Sequence, residues 1–165
     1  LLIDAFTEDE RRELDAQRQN IDILPNMHCC VAVDESENPI GFITYWELGN
    51  FCYIEHFAIA PLQRDCGYGA HFIYSLLNSL ASPVVLEVEL PDNSIAQRRI
   101  NFYKRIGFVP WAEYNYIQPP YRSGGNSIPM MLMAYGPLSA DIDADNISTA
   151  IHNNVYGTDG SRCIK

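Results

Sequence analysis

Apolar positions along this chain change period several times, and each change marks an element. Cys30-Val31-Ala32-Val33 reads as a short strand, followed by the polar turn Asp34-Glu35-Ser36-Glu37-Asn38-Pro39. Ile40 to Trp46 gives a second strand, Gly49-Asn50 a second turn, and Phe51 to Ile59 a third strand. Three strands joined by tight turns predict an antiparallel meander. The period then becomes helical. Phe72, Ile73, Leu76, Leu77 and Leu80 fall on one helix face, and Ser82-Pro83 ends that helix.

Val84 to Leu90 alternates again. Val84, Leu86, Val88 and Leu90 share one face, and Val85, Glu87 and Glu89 the other. Pro91-Asp92-Asn93-Ser94 opens a second helix carrying Ile95, Arg99, Phe102, Tyr103 and Ile106, with Gly107 as its C′ residue. Phe108 starts a strand expected to pair with Ile128 to Tyr135. The intervening loop holds Pro119-Pro120 and Gly124-Gly125. At the front, Glu8-Asp9-Glu10-Arg11-Arg12-Glu13-Leu14 reads as an exposed helix start, with Thr7 and Glu10 forming a capping box. From Ser139 the chain turns polar and acidic, which predicts a surface helix or a tail over 139–165.

Composition narrows the function. The 165 residues fit one domain with a short appendage. Lys plus Arg is 11 against 21 for Asp plus Glu, a net charge of −10. Residues 1–40 hold ten acids and three bases, so −7 of the total sits there. Broad nucleic-acid or anionic-membrane surfaces need basic patches, so neither partner is expected. No run reaches the ~20 apolar residues of a membrane span, and the first residues lack the basic flank and cleavage site of a signal peptide. Five cysteines, Cys29, Cys30, Cys52, Cys66 and Cys163, form no framework and no CxxC, which predicts a reduced cytoplasmic protein. Asp141-x-Asp143-x-Asp145 begins like a calcium loop. Asn146 stands where Gly is needed and His152 where a bidentate Glu is needed, so no metal is expected.

The sharpest chemical signal is the strand–turn–helix unit from Phe51 to Leu80. Gly67 and Gly69 remove side chains where a ligand approaches the backbone and free the first amides of the helix. Such a turn either binds an anion of the phosphate or pyrophosphate kind or serves geometry alone. It lacks the third Gly of a dinucleotide fingerprint and the Gly-Lys-Ser/Thr of a P-loop.

Arg64-x-x-Gly67-x-Gly69 after Phe57-Ala58-Ile59-Ala60-Pro61 resembles the coenzyme-A motif of the GNAT N-acetyltransferase superfamily. Phe102-Tyr103-Lys104-Arg105-Ile106-Gly107-Phe108 is similar to that family's FYxxxGF helix-to-strand element, in the family's order and spacing. The resemblance covers roughly residues 5–137. It implies an α+β fold, with a mixed, mostly antiparallel sheet splayed into a V and flanked by helices. It places an acetyltransferase domain at 1–138, with the first strand missing or outside the chain given. Acetyl-coenzyme A would enter between Tyr53–Ile59 and Val84–Leu90. Its pyrophosphate would sit on the amides of Asp65, Cys66, Gly67, Tyr68, Gly69 and Ala70, with Arg64 beside it, and its pantetheine along Phe57, Ala58 and Ile59. Asp65 stands where the family often has Gly. The family's Asn seven residues before the Tyr is here Ala96, leaving Asn93 as the nearest amide for a cofactor contact. Arg98, Arg99, Lys104 and Arg105 form the densest basic cluster, either near the phosphates or as solvated surface.

Acetyl transfer to an amine needs a neutral amine, a stabilised oxyanion and a proton for the leaving thiolate. Tyr103 matches the family's general acid. Glu55 is the expected base, with Glu87, Glu89 or water as alternatives, and a backbone amide near Ala58 meets the oxyanion. His56 alternates away from Glu55 and reads as a core histidine. Glu55, Glu87 and Glu89 either form an acidic pocket for a cationic amine or are exposed strand acids. The resemblance thus implies an acetyl-coenzyme-A-dependent N-acetyltransferase for a small amine, monomeric or homodimeric. The alternatives are a non-catalytic acyl-coenzyme-A-binding or sensor module and a purely structural domain. Substrate choice would come from the N-terminal helix and the loop Tyr114–Ser127.

Overall fold

A computed structural model describes residues 1–158. Its elements run α1 (Leu2–Ala5), α2 (Leu14–Ile23), β1 (Met27–Val33), β2 (Pro39–Glu47), β3 (Cys52–Ile59), α3 (Tyr68–Ser79), β4 (Val84–Glu89), α4 (Ser94–Ile106), β5 (Val109–Pro110), β6 (Tyr116–Gln118), β7 (Ile128–Tyr135) and α5 (Ala140–Asn154). The seven strands form one sheet in the order β1-β2-β3-β4-β7-β5, with β6 also on β7. Only β3 and β4 run parallel; every other pairing is antiparallel. This is the mixed, mostly antiparallel sheet that the sequence implied.

The two faces of the sheet hold separate cores. On one, Ile73, Leu76 and Leu77 of α3 and Ile100, Tyr103 and Ile106 of α4 pack against Ile54, Leu86 and Val88. On the other, Ala144, Ile147 and Ile151 of α5, with Val155 and Tyr156 beyond it, pack against Trp46, Tyr53, Val85 and Leu132. Alternation along β4 sends Val84, Leu86 and Val88 to the first core and Val85 to the second. Asn93 caps α4 by accepting from the Ile95 and Ala96 amides, both at 2.9 Å, and Gly107 ends the helix in the left-handed region at φ 113°.

The parallel pairing is short. Cys52, Tyr53 and Ile54 stand opposite Val84, Val85 and Leu86, and there it stops. β3 continues to Ile59 on β2, and β4 continues to Glu89 on β7. The sheet therefore opens into a V beyond Ile54 and Leu86. The β2–β3 register also shifts at this point, from Tyr45–Ile54 to Thr44–His56, leaving Glu55 without a partner residue on β2. A bulge of this kind re-aims side chains, and here it sits at the apex of the V.

Two segments differ from expectation. The capping box at Thr7 forms, with Glu10 Oε2 accepting from the Thr7 amide at 2.9 Å and its hydroxyl at 2.7 Å, but it closes only a single 3₁₀ turn over Glu8–Glu10. Arg11 is extended, and α2 begins at Leu14. Arg12, between the two helical segments, is buried. The segment from Ser139 is also more than a surface helix. Its acids face solvent, while every third or fourth residue from Ala144 to Ile151 is buried. Cys163 lies outside the described residues.

Candidate active site in the opened sheet

The V encloses a cavity of about 350 Å³. Phe57, Ala58 and Ile59 line it from β3, Glu87 from β4, and Tyr103 from α4. The N-terminal segment adds Asp4, Phe6 and Glu10. β3 has lost its β4 neighbour from Glu55 onward, so half of its backbone groups there face the cavity unpaired by strand. An extended ligand can add to this free edge as a strand would.

A second hollow of about 400 Å³ adjoins it, lined by Phe57, Ile59, Arg64, Gly67, Phe102 and Arg105 among others. Two residues of its turn lie in the left-handed region, Asp65 at φ 61° and Gly67 at φ 83°. Gly67 is the N-cap of α3, and a Cβ there would meet nothing within 4 Å. Its requirement is thus conformational, while its bareness leaves the first-turn amides of α3 open to an anion. At Gly69 a Cβ would touch Phe57, Ile59 and Phe102 at 3.5–3.7 Å, closing space between the turn and the cavity.

The predicted cofactor residues divide. Arg64 lines both cavities and donates through Nε to the Ile59 carbonyl at 3.0 Å, tying the turn to the end of β3. Asp65, Gly67, Gly69 and Ala70 line the second hollow. Asp65 is exposed and lies 3.8 Å from Arg98, which offsets its charge near the turn. Cys66 is exposed, and the Tyr68 ring lines a separate groove with His71 and Phe72, leaving these two only their amides to offer. Asn93 spends its side-chain oxygen on the helix cap, which leaves its amide nitrogen as the group that could donate to a cofactor.

Glu55 and Glu87 are the residues that would pair next if the β3–β4 register continued. Their surroundings are opposite. The Glu55 side chain is fully buried and forms an ion pair with Arg12. It also accepts from Trp46 Nε1 and the Tyr121 hydroxyl, both at 3.2 Å, and from Gln17 Nε2 at 3.3 Å. Arg12 stacks over Tyr121 and Trp46, 4.8 and 5.5 Å from their centroids, and its other amino group bonds the Val155 carbonyl. Burial alone would raise the Glu55 carboxyl, but the Arg12 charge, then the charge and hydrogen bond of His56, outweigh it and hold the group well below the carboxylate range. Such a group binds protons poorly. Glu55 therefore does not suit the base role expected from the sequence; its carboxylate holds the apex together.

Among the described residues Glu87 forms no ion pair. Its carboxylate accepts from the Tyr116 hydroxyl and, at 2.9 Å, from Tyr156. Burial raises its carboxyl to about 7, against the downward pull of hydrogen bonds from Tyr116, Tyr156 and Tyr53, and the Glu55 charge adds to the rise. Tyr103 is raised by burial to about 12, moderated by Arg99, so its phenol keeps its proton at neutral pH. Glu89 pairs with Arg99 at the mouth, so of the three carboxylates considered above Glu55 and Glu87 line the cleft, Glu55 already paired with Arg12. His56 is buried, with Nδ1 3.1 Å from Thr44 Oγ1 and Nε2 3.0 Å from the Glu10 carbonyl, in keeping with a core histidine.

Arg12, Tyr116, Tyr121 and Tyr156 were missed as site residues. Nothing in the run Arg11-Arg12 separates the buried guanidinium from its neighbour. The tyrosines of the late loop left a weak signal, since Tyr114, Tyr116 and Tyr121 crowd a segment with no helical or strand period. Among the described residues, no group of three or more His, Cys, Asp or Glu is placed to hold a metal ion, and no helix is long and apolar enough to cross a membrane.

An opened mixed sheet, a left-handed Gly turn and an FYxxxGF helix end are found together, and the comparisons agree with them. The model of the Acetyltransferase (GNAT) family matches residues 1–108. The chain belongs to this family. A putative acetyltransferase of the same family from Bacteroides thetaiotaomicron is 45% identical, with a TM-score of 0.90 over 96% of this chain and 89% of that one. Fold alone is shared with more distant structures. NAA60 from Arabidopsis thaliana, solved with a bisubstrate analogue, is 21% identical at TM-score 0.61 over 80% of this chain and 87% of that one. Spermidine N-acetyltransferase from Vibrio cholerae, solved with CoA and spermine, is 18% identical at TM-score 0.56 over 74% and 73%. No match was found among curated proteins.

Proposed function

We propose that this chain is an acetyl-coenzyme-A-dependent N-acetyltransferase whose acceptor is a small cationic amine. The observation that carries the reading is the separation of β3 from β4 beyond Ile54 and Leu86, with Tyr103 lining the space between them. The cofactor's pyrophosphate rests on the amides that open α3, helped by Arg64 and Arg105. Its pantetheine adds along Phe57, Ala58 and Ile59. The amine attacks the thioester carbonyl, a backbone amide near Ala58 meets the oxyanion, and Tyr103 protonates the departing sulfur. Four unpaired cysteines among the described residues suit a reducing cytoplasm, which completes the reading.

Gly67→Val tests the cofactor site. A β-branched residue is strained at φ 83° and adds bulk over the amides. Calorimetry is expected to show loss of coenzyme-A binding with the fold retained by circular dichroism. Unchanged affinity would remove the turn from the site.

The acceptor is tested by thiol release from acetyl-coenzyme A across polyamines, amino acids, aminoglycosides and N-terminal peptides. The fold shared with an enzyme solved with spermine makes polyamines the first class to try. Asp4, Glu10 and Glu87 line the cavity, so KM for a cationic acceptor is expected to rise with salt, as charge pairs are screened over ~8–10 Å at physiological ionic strength. A KM indifferent to salt, or a preferred acceptor that is neutral, would count against the cationic class.

A further inference from the structure

We infer that Arg99 meets the negative charge of the departing thiolate, one helical turn from Tyr103 on the wall of the V. The inference rests on the acetyltransferase reading above and adds a residue to that site.

Arg98, Arg99, Lys104 and Arg105 look alike in the sequence, but the structure separates them. Arg98 lies 3.8 Å from Asp65, beside the Gly67 turn. Arg105 lines the second hollow, where the pyrophosphate is proposed to rest. Arg99 lines the cavity of the V instead. Among the described lining residues, the other cation there is Arg64, whose Nε is tied to the Ile59 carbonyl next to the turn. Arg99 is therefore the cation on the Tyr103 side of the cleft.

Arg99 and Tyr103 are four residues apart on α4, so they share one helix face. A helical side chain leans toward the N-terminus of its helix, which brings the Tyr103 phenol toward the turn that carries Arg99. The Arg99 charge is felt at that phenol, where it opposes the rise that burial imposes. Arg99 Nη1 also forms an ion pair with Glu89, the last residue of β4. Helix and strand are joined across the cleft, and the guanidinium is held at its edge. One carboxylate contact uses only part of the donor fork of an arginine.

The charge around the sulfur makes such a cation useful. Asp4, Glu10, Glu55 and Glu87 all line this cavity, with Tyr121 and Tyr103 as its phenols. Carboxylates nearby disfavour a thiolate, and Arg12 already answers Glu55. Tyr103, raised to about 12, is a weaker acid than an ordinary thiol of ~8.5, so its proton does not lead the departure. The C–S bond breaks, its electron pair moves to sulfur, and the oxyanion re-forms the carbonyl. Sulfur then carries a full negative charge, which the guanidinium stabilises. The Tyr103 proton moves to sulfur, and the phenolate takes the surplus proton of the acylated nitrogen through water. Arg99 stays charged throughout and exchanges no bond.

The test reads ionisation of the bound coenzyme-A thiol from its ultraviolet thiolate band, with the desulfo-coenzyme-A complex as blank. Arg99→Gln is expected to raise that thiol by about one pH unit relative to wild type. It is expected to lower kcat by ~10–10²-fold, less than loss of an enclosed donor, because the Arg99 side chain is 41% exposed. Arg99→Lys keeps the charge and is expected to regain most of the shift. A residue that merely braces α4 would lower activity without moving the thiol. Calorimetry at alkaline pH separates the sulfur from the rest of the cofactor: Arg99→Gln is expected to lose severalfold more affinity for coenzyme A than for desulfo-coenzyme A. Equal losses for the two ligands would assign Arg99 to the phosphates or pantetheine and overturn the inference. An unmoved thiol in Arg99→Gln would overturn it as well, with the acetyltransferase reading intact. Absence of coenzyme-A binding by wild type would overturn that reading and this inference with it.

Discussion

Tyr103→Phe is expected to lower kcat by ~10²–10⁴-fold while leaving coenzyme-A affinity unchanged. The change deletes one hydroxyl from a ring whose packing is otherwise kept: Tyr103 meets Phe102 and Phe108 edge-on at 5.2 and 5.6 Å. The ring is 7% exposed, so the residue is held in the core and still lines the cavity. A phenol raised to about 12 is fully protonated at working pH, and because it is a weaker acid than an ordinary thiol of ~8.5, its proton moves to sulfur only as the C–S bond breaks. Measuring kcat and Kd together separates the outcomes. A variant of wild-type rate would return Tyr103 to a packing role.

The second large effect is on stability. Arg12→Met leaves the Glu55 carboxylate buried without its main counter-charge and removes the Arg12 bond to the Val155 carbonyl. Breaking a buried pair from one side costs about 3–5 kcal/mol, which for a chain of this length lowers Tm by roughly 6–20 °C. Glu55 has a depressed folded-state pKa, so its contribution is present above the unfolded value of ~4.3 and is lost as pH falls below it. The gap between wild type and Arg12→Met is therefore expected to be widest at neutral pH and to narrow below about pH 4. Glu87 runs the other way. Its raised carboxyl contributes stability in full below ~4.3, and that contribution is lost as pH climbs through about 7. Adding Glu55→Gln to Arg12→Met removes the stranded charge and is expected to restore much of the loss. If the single variant melts within a degree of wild type, the pair does not hold the apex.

The contrast between Arg12 and Tyr103 shows what a sequence can carry. Tyr103 sits in a local pattern, because FYxxxGF is one helix end, one cap and one strand start, all fixed by neighbours in the chain. The meander, α3, β4 and α4 were legible for the same reason: period and capping act over a few residues. Arg12 and Glu55 are 43 positions apart, and Arg12 and Val155 are 143 apart. Their meeting depends on the assembled sheet. Read locally, Arg12 is one base in an acidic run. Glu55 looked available because strand alternation does not report a bulge or what lies opposite. The loop tyrosines carried no period, so only their number hinted at a shared task. Asn93 shows that one side chain can carry a second task the sequence did not single out, since its oxygen caps α4.

Tyr156 lies beyond α5, almost at the end of the described chain, yet it completes the surroundings of a carboxylate on β4, 69 positions earlier. On the ribosome, β1 to β4 and both central helices emerge well before that tyrosine. Chains are made at roughly 5–20 residues per second, far slower than a loop closes. For several seconds the nascent sheet thus carries Glu87 without one of its two tyrosine donors, and Arg12 without the Val155 carbonyl. Contacts of such long sequence separation close late and slowly. Translation thus sets the order of assembly: the Gly67 turn can form on a partial chain, whereas the Glu87 end of the cleft waits for α5 to dock.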